Sequence, residues 1–315
     1  MARFLLASVL VLVLAITVKS QQTQAEMDKQ ETLEDVFARK LAYTRASPFY
    51  KELHTPHTRR FLPKPWATEP GEVLIGPEWS IRAEAMDSPP GPFAVEELRS
   101  FFADTGGIRL KDGPVANEIV LRVAGKAKDR IEADSYFLSV SETCIEVTSP
   151  SSRGVLYGVY YLEQLLLDRG IPAIAPMDVE RKPLFDVRMF GDMYGTFTVS
   201  GLRIDRPVSR DTFSALSRFG ANASFTFVQL GDYLGDETYP ELNNPSREKN
   251  LAELKRLADM AESVGVELYL DAYNPKLPAD HPVFLAHPHA MGATQHGGNI
   301  RCCLLYTSPS PRDRS

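Results

Sequence analysis

Between Asp134 and Asp192 the spacing of apolar positions changes repeatedly, and each change marks an element. Tyr136-Phe137-Leu138-Ser139-Val140 and Cys144-Ile145-Glu146-Val147-Thr148 alternate, with Ser141-Glu142-Thr143 between them, which predicts a β-hairpin. Val155, Val159, Leu162 and Leu166 then recur at helical spacing; Ser151 or Ser152 can cap that helix and Gly170 can end it. Ile171-Pro172-Ala173-Ile174 reads as a short extended piece, and Lys182-Pro183-Leu184 leads into a new apolar segment, Phe185 to Asp192. Upstream, Trp79 to Ala83 reads as a strand, and Val95, Leu98 and Phe102 mark a helix ended by Gly106-Gly107. Ile119, Leu121 and Val123 alternate as a further strand.

From Phe185 the pattern becomes strand-helix-strand-helix-strand, which predicts parallel βα units. The strands are Phe185 to Asp192, Ala223 to Leu230 and Val266 to Asp271. The first helix runs from Ser209 through Phe213, Leu216 and Phe219 to Gly220. The second spans about Ser246 to Ser263, with Leu251, Leu254, Leu257, Ala258 and Ala261 on its buried face. Ahead of all this, Leu33, Val36, Phe37, Lys40 and Leu41 behind Thr32 predict one helix, followed by a linker with Pro48, Pro56, Pro63, Pro65 and Pro70. No function attaches to that stretch.

The hairpin, the SSRGVLYGVYYLEQLL helix and the run Pro183-Leu184-Phe185-Asp186-Val187-Arg188 resemble family-twenty glycoside hydrolases, the β-N-acetylhexosaminidases, over roughly residues 72 to 290. The resemblance implies an α/β architecture in several parts. A signal peptide occupies 1–20, and the helix and proline-rich linker occupy 21–71. A small zincin-like α+β domain without metal follows at 72–182, and the first βα units of an incomplete TIM barrel at 183–301. The α-glucuronidases share the same small domain. A complete barrel of this class takes about 250 residues, so fewer than half its strands are expected here, and the open edge of the third strand predicts a poorly soluble or partly folded fragment.

In such barrels the C-terminal strand ends carry the chemistry. Arg188 matches the arginine that contacts sugar hydroxyls in the hexosaminidases, a role suited to a planar guanidinium; the alternative is a structural ion pair. Asp232, in Gln229-Leu230-Gly231-Asp232, matches the aspartate of the family's His-Leu-Thr-Asp motif, and Tyr239-Pro240-Glu241-Leu242 fits the same loop. Asp271 ends the third strand, where the family has an acidic residue; Asp192 fits a turn. So the implied sugar-binding residues are Arg188, Asp232 and Asp271. Two departures stand out: the family's histidine is Gln229 here, and its Pro-Gly-His is not kept, since Pro275 precedes Lys276-Leu277.

The implied activity is that of an exo-acting β-N-acetylhexosaminidase with substrate-assisted retention. The substrate's acetamido oxygen attacks the anomeric carbon, one aspartate orients it, and a neighbouring glutamate protonates the leaving oxygen. That pair belongs at the end of a fourth strand. The Asp-Glu dipeptide present, Asp236-Glu237, sits in the loop after the second, so no catalytic residue is assigned and the fragment is expected to be inactive. The alternatives are an α-glucuronidase-like hydrolase, or a noncatalytic glycan-binding protein on a degenerate barrel.

Composition narrows the class further. A net charge of −6 without a basic patch argues against nucleic acid and anionic membranes. Met1-Ala2-Arg3 followed by the apolar run Phe4 to Val18 reads as a secretory signal peptide, being shorter than the roughly 20 residues a spanning helix needs. That places the protein outside the cytoplasm, periplasmic or secreted, with a carbohydrate as its partner. Three cysteines cannot make a disulfide framework, and Cys144 reads as a buried small hydrophobe. His281, His287, His289 and His296 fall in a Pro- and Gly-rich stretch that reads as an exposed loop, so no metal or other cofactor is expected. The run from Cys303 to Asp313 back-translates into a transposase adapter used in sequencing libraries, so 302–315 reads as an artefact and native sequence as ending near Arg301.

Overall fold

The structure is a computed structural model that describes residues 60–113, 115–190, 209–228, 233, 235, 237–272, 276–294 and 299–302. The leader, the helix expected near Leu33 to Leu41, Asp192, Gln229, Asp232, Asp236, His296 and residues 303–315 lie outside the described residues.

The first half is a mixed sheet covered by two helices. In chain order it runs β1 (Val73–Leu74), β2 (Ser80–Glu84), α1 (Gly91–Gly106), β3 (Lys111–Asp112), β4 (Glu118–Val123), α2 (Arg130–Ala133), β5 (Tyr136–Val140), β6 (Cys144–Ser149), α3 (Ser152–Arg169), β7 (Ala173–Ile174) and β8 (Met177–Arg181). The six-stranded sheet has the order β3-β2-β4-β6-β5-β8, with parallel pairing from β3 to β6 and antiparallel pairing on both sides of β5. β4 shows why the centre of the sheet is parallel: Ile119, Val120 and Leu121 are all buried, so both faces of the strand are covered. The expected hairpin is β5–β6, in register from Phe137 opposite Thr148 to Val140 opposite Ile145.

The long helix forms as its caps predict. The Ser151 side chain accepts from the Gly154 amide, and Gly170 closes the far end at φ 76°, with its amide donating to the carbonyls of Leu166 and Leu167. Val155, Val159, Leu162 and Leu166 are fully buried, the stripe that the spacing implies. Two glycines let this helix lie close to the sheet. A Cβ on Gly154 would stand 2.0 Å from Ser149 Oγ and 2.5 Å from the Ser135 carbonyl; one on Gly158 would stand 2.3 Å from Val147 Cγ1.

Phe61, expected in a linker ahead of the domain, is part of the core. It stacks edge-on against Phe101 at 5.8 Å, and its amide and that of Leu62 donate to Thr105 and Gly170. β8 is not evident from the sequence. Its residues are partly or fully exposed at the sheet edge, so no apolar period marks them.

The second half comprises β9 (Met189–Phe190), α4 (Arg210–Arg218), β10 (Ala223–Val228), α5 (Arg247–Glu262) and β11 (Glu267–Ala272). The strands pair in parallel in the order β11-β10-β9, with Ala223 opposite both Met189 and Glu267. Each expected strand and helix is present, and β9 is shorter in its described part than the Phe185–Asp192 segment. Phe213, Leu257, Ala261, Val264 and Val266 join Leu156, Leu162 and Trp79 in one continuous apolar core, so this sheet packs onto the first half. Beyond β11 stands a small antiparallel sheet of β12 (Lys276–Pro278), β13 (Met291–Thr294) and β14 (Asn299–Cys302), with α6 (Pro282–Ala286). The stretch expected as an exposed histidine loop therefore carries regular structure. Its core is separate: Leu242, Leu277, Val283, Phe284 and Ala290, with Tyr239 against them.

Candidate functional site

In an open parallel sheet, ligands bind outside the carboxyl ends of the strands. The two ends of β9–β10–β11 must therefore be distinguished before any side chain is given a role.

At the amino end, the corner between α2 and β5 supplies a buried carboxylate. Asp129 caps α2, its side chain accepting from the Glu132 amide, and the helix closes on Asp134. Ser149 Oγ and Ser151 Oγ donate to the carbonyls of Ser135 (2.7 Å) and Ala133 (2.5 Å), which pins the start of α3 to the same corner. Asp134 is fully buried. Its Oδ1 accepts from Arg153 Nε at 2.6 Å, and its Oδ2 accepts from an Arg188 terminal nitrogen and from Asn222 Nδ2, both at 2.8 Å. Asn222 also donates to the Asp186 carbonyl and accepts from the Arg188 amide. Glu267, the first residue of β11, joins from the other side, accepting from Arg153 at 2.8 Å and Arg130 at 2.5 Å; Arg130 also donates to Tyr269 Oη.

Burial works against the charge on Arg153, but Asp134 and Glu267 outweigh it and raise the guanidinium pKa above its ordinary value. Tyr157, which donates to the Ala221 carbonyl, is pushed up to about 12 by burial, with the charge of Asp134 adding to the shift.

Arg188 belongs to this network. Its Nε donates to the Gly220 carbonyl at 2.6 Å, one terminal nitrogen to the Phe185 carbonyl at 2.8 Å and the other to Asp134, and the guanidinium lies 5.3 Å over the Tyr157 ring. It stands one residue before β9, at the amino end of the sheet. The ion pair with Asp134 is the structural alternative to a sugar contact for this residue, and the Phe185 and Gly220 carbonyls complete its partners among the described residues.

At the carboxyl end, the loops after β10 and β11 are tied to each other. Tyr239 and Leu242, from the first loop, pack with Leu277, Val283 and Phe284 from the second. The Tyr239 and His287 rings meet edge-on at 5.1 Å, and His287 Nε2 stands 3.7 Å from Glu241 Oε2. His281 Nδ1 accepts from the Val283 amide at 3.3 Å and so caps α6; partial burial lowers its pKa. Asp271 is the next-to-last residue of β11, with its backbone opposite Phe227. Its side chain, like the whole of Asp232, lies outside the described residues. Among the described residues, no group of three His, Cys, Asp or Glu stands close enough to hold a metal ion.

A groove of about 470 Å³ opens beside the amino-end network, between α3, the β8 end and the α4 end; its walls include Tyr157, Tyr160, Tyr161, Arg181, Arg188 and Arg218. Sequence reasoning misses the residues that matter here. Asp134, Asn222 and Glu267 carry no motif, Arg153 lies in the SSRGVLYGVYYLEQLL helix without being singled out there, and the available signal is a polar or charged residue directly beside a strand or helix start.

Residues 62–179 match the family model described as Glycosyl hydrolase family 20, domain 2. The small domain matches family 20. Two solved structures share the fold over more of the chain. One is described as a GH138 enzyme targeting pectin rhamnogalacturonan II, at a TM-score of 0.53 and 16% identity over 67% of this chain. The other is the chitobiase of Flavobacterium johnsoniae, at 0.50 and 17% identity over 75% of this chain. The chain spans 26% and 36% of the lengths of those two structures. No curated protein matches the chain.

Proposed function

We propose that this chain is the amino-terminal part of an extracytoplasmic glycoside hydrolase that removes terminal N-acetylhexosamine units with retention, using the substrate's own acetamido group. The observation that carries the reading is the family-20 domain at 62–179 followed directly by a parallel strand-helix repeat packed on its core. The chitobiase likeness extends across the same two parts, at the level of fold. The apolar run Phe4 to Val18 behind a basic start supports export.

In this reading the parallel sheet is the start of a catalytic barrel, and its carboxyl end faces the sugar. Asp232, beyond β10, and Asp271, at the end of β11, hydrogen-bond the hydroxyls of the bound sugar. Arg188 acts as a positioning residue, holding the first strand on Asp134 while the loops at the far end take the substrate. The acid pair that orients the acetamido group and protonates the leaving oxygen comes from a fourth strand.

The test is the reading frame past Arg301 in the genomic locus, expressed whole and assayed on aryl N-acetylglucosaminide and aryl glucuronide. Release from the first alone, abolished by Asp→Asn in an Asp-Glu pair after the fourth strand, is the expected result. Release from the glucuronide alone would replace this reading with a glucuronidase, and release from neither would leave a glycan-binding protein.

A further inference from the structure

The groove beside Asp134 is remote from the strand ends to which the sugar-cleaving reading assigns its chemistry, and its walls have a composition of their own. Tyr136 and Tyr161 stand on one side with ring centres 5.9 Å apart and planes tilted by 44°. Arg181, paired across the sheet with Tyr136, lies 5.2 Å over the Tyr161 ring and donates to its hydroxyl at 3.1 Å. Pro183 is the sole aliphatic side chain among the lining residues, so the groove suits a hydrogen-bonding body better than a lipid chain. Its volume lies within the roughly 300–1,000 Å³ of small-molecule sites.

Charge selects further. Arg188 is neutralised by Asp134, and Arg218 by Glu97 and Glu163. Lys182 stands 3.5 Å from Glu180, both more than half exposed. Among the described residues Arg181 has no carboxylate partner; its hydrogen bond and its charge interactions go to tyrosines. The groove thus offers one uncompensated guanidinium beside aromatic faces.

We propose that this groove binds one carboxylated sugar unit of an acidic glycan, with the carboxylate on Arg181 and the ring against Tyr161 and Tyr136. A guanidinium takes a carboxylate through paired hydrogen bonds, and the apolar face of a pyranose packs on an aromatic ring. The site is a second glycan contact, separate from any cleavage site. It rests on the glycoside-hydrolase reading only for the choice of a sugar as the body of the ligand.

The test is calorimetric titration of the 315-residue chain with a galacturonic-acid disaccharide and, in parallel, the neutral disaccharide N,N′-diacetylchitobiose. The acidic disaccharide binds, and the neutral one binds at least about tenfold more weakly, the ratio set by one charge-assisted contact. Arg181→Ala loses that preference, Arg181→Lys keeps part of it, and raised salt weakens binding. Arg181 is exposed, so its variants retain the fold; Tyr161→Ala, checked by circular dichroism, tests the ring. Absence of binding by the folded chain, equal binding of both disaccharides, or an unchanged affinity in Arg181→Ala would overturn the proposal. The readout is binding and not cleavage, so either result leaves the hydrolase assay to be decided on its own.

Discussion

The two ends of the parallel sheet are built from opposite materials. Its amino end rests on charge: buried Asp134 takes two guanidinium groups and an amide, and partly exposed Glu267 takes two more guanidinium contacts. Its carboxyl end carries a small apolar cluster of short elements, closed by Tyr239, Phe284 and a histidine cap. The first arrangement is costly to break, because removing one partner strands the others without water. The second is a local structure that can open while the main core stays intact. A fold that fixes one end of a sheet this way leaves the other end free to vary, which is where a catalytic protein of this architecture keeps its chemistry.

The sharpest way to break that contrast is Asp134→Ala. It leaves Arg153 and Arg188 buried without their carboxylate, side chains only 16% and 19% exposed, and should cost about 3–5 kcal/mol. The urea midpoint of the β9–β11 half, followed by hydrogen exchange, should fall furthest, since Arg188 and Asn222 both lose their anchor. An unchanged midpoint would mean that the apolar core alone joins the halves.

Gly154→Ala comes next. Backbone carbonyls of Ser135 and Ala133 stand at 2.5 and 2.8 Å from the new Cβ, so the start of α3 must lift, at about 1–3 kcal/mol. Because Arg153 precedes it, the same lift should loosen the Asp134 network, whereas Gly158→Ala, one turn on, should destabilise the first half without reaching Glu267. Thermal melts of both variants, each also carrying Glu267→Gln, separate the two effects.

Alkaline pH probes the amino end in the intact chain. Burial holds Tyr157 at about 12, above its ordinary 10.0. A raised pKa means stability that is complete below pH 10 and lost as pH rises from 10 toward 12, at most about 3 kcal/mol for a shift of this size. Tyr157→Phe should flatten the fall in denaturation midpoint over that range; an equally steep fall would assign it to other groups, Tyr136 among them, which burial also pushes up to about 12.

How much of this is legible in the sequence follows from the range of the forces. The hairpin and the long helix are evident because alternation, a serine cap and a closing glycine are local rules, and here each is used as written. The βαβαβ order is evident because buried strands and amphipathic helices each have a period. Arg188 stands out in the sequence but its partners do not: Asp134 and the Gly220 carbonyl lie 54 and 32 residues away, and no local pattern encodes them. β8 escapes because an exposed edge strand has no apolar alternation to display. The satellite formed by β12–β14 and α6 escapes because its helix and strands are three to five residues long and are held by a cluster that draws Leu242 and Phe284 from different loops.

The smallest effect tests the carboxyl end. His281 caps α6 through an unprotonated Nδ1, and partial burial lowers its pKa from 6.5. A lowered pKa means stability present above pH 6.5 and lost as pH falls below it, since the protonated ring can no longer accept from the Val283 amide. The loss is under about 1 kcal/mol, the worth of an ordinary helix cap, and should be confined to the satellite. Amides from Val283 to His287 should exchange faster at about pH 5.5 than at about pH 7.5, on either side of the ordinary histidine value, after correction for intrinsic rates, while those of α3 hold steady. His281→Asn keeps an acceptor that does not titrate, so it should abolish the difference. If α3 loosened in step with α6, the two ends of the sheet would open as one unit and the contrast between them would fail.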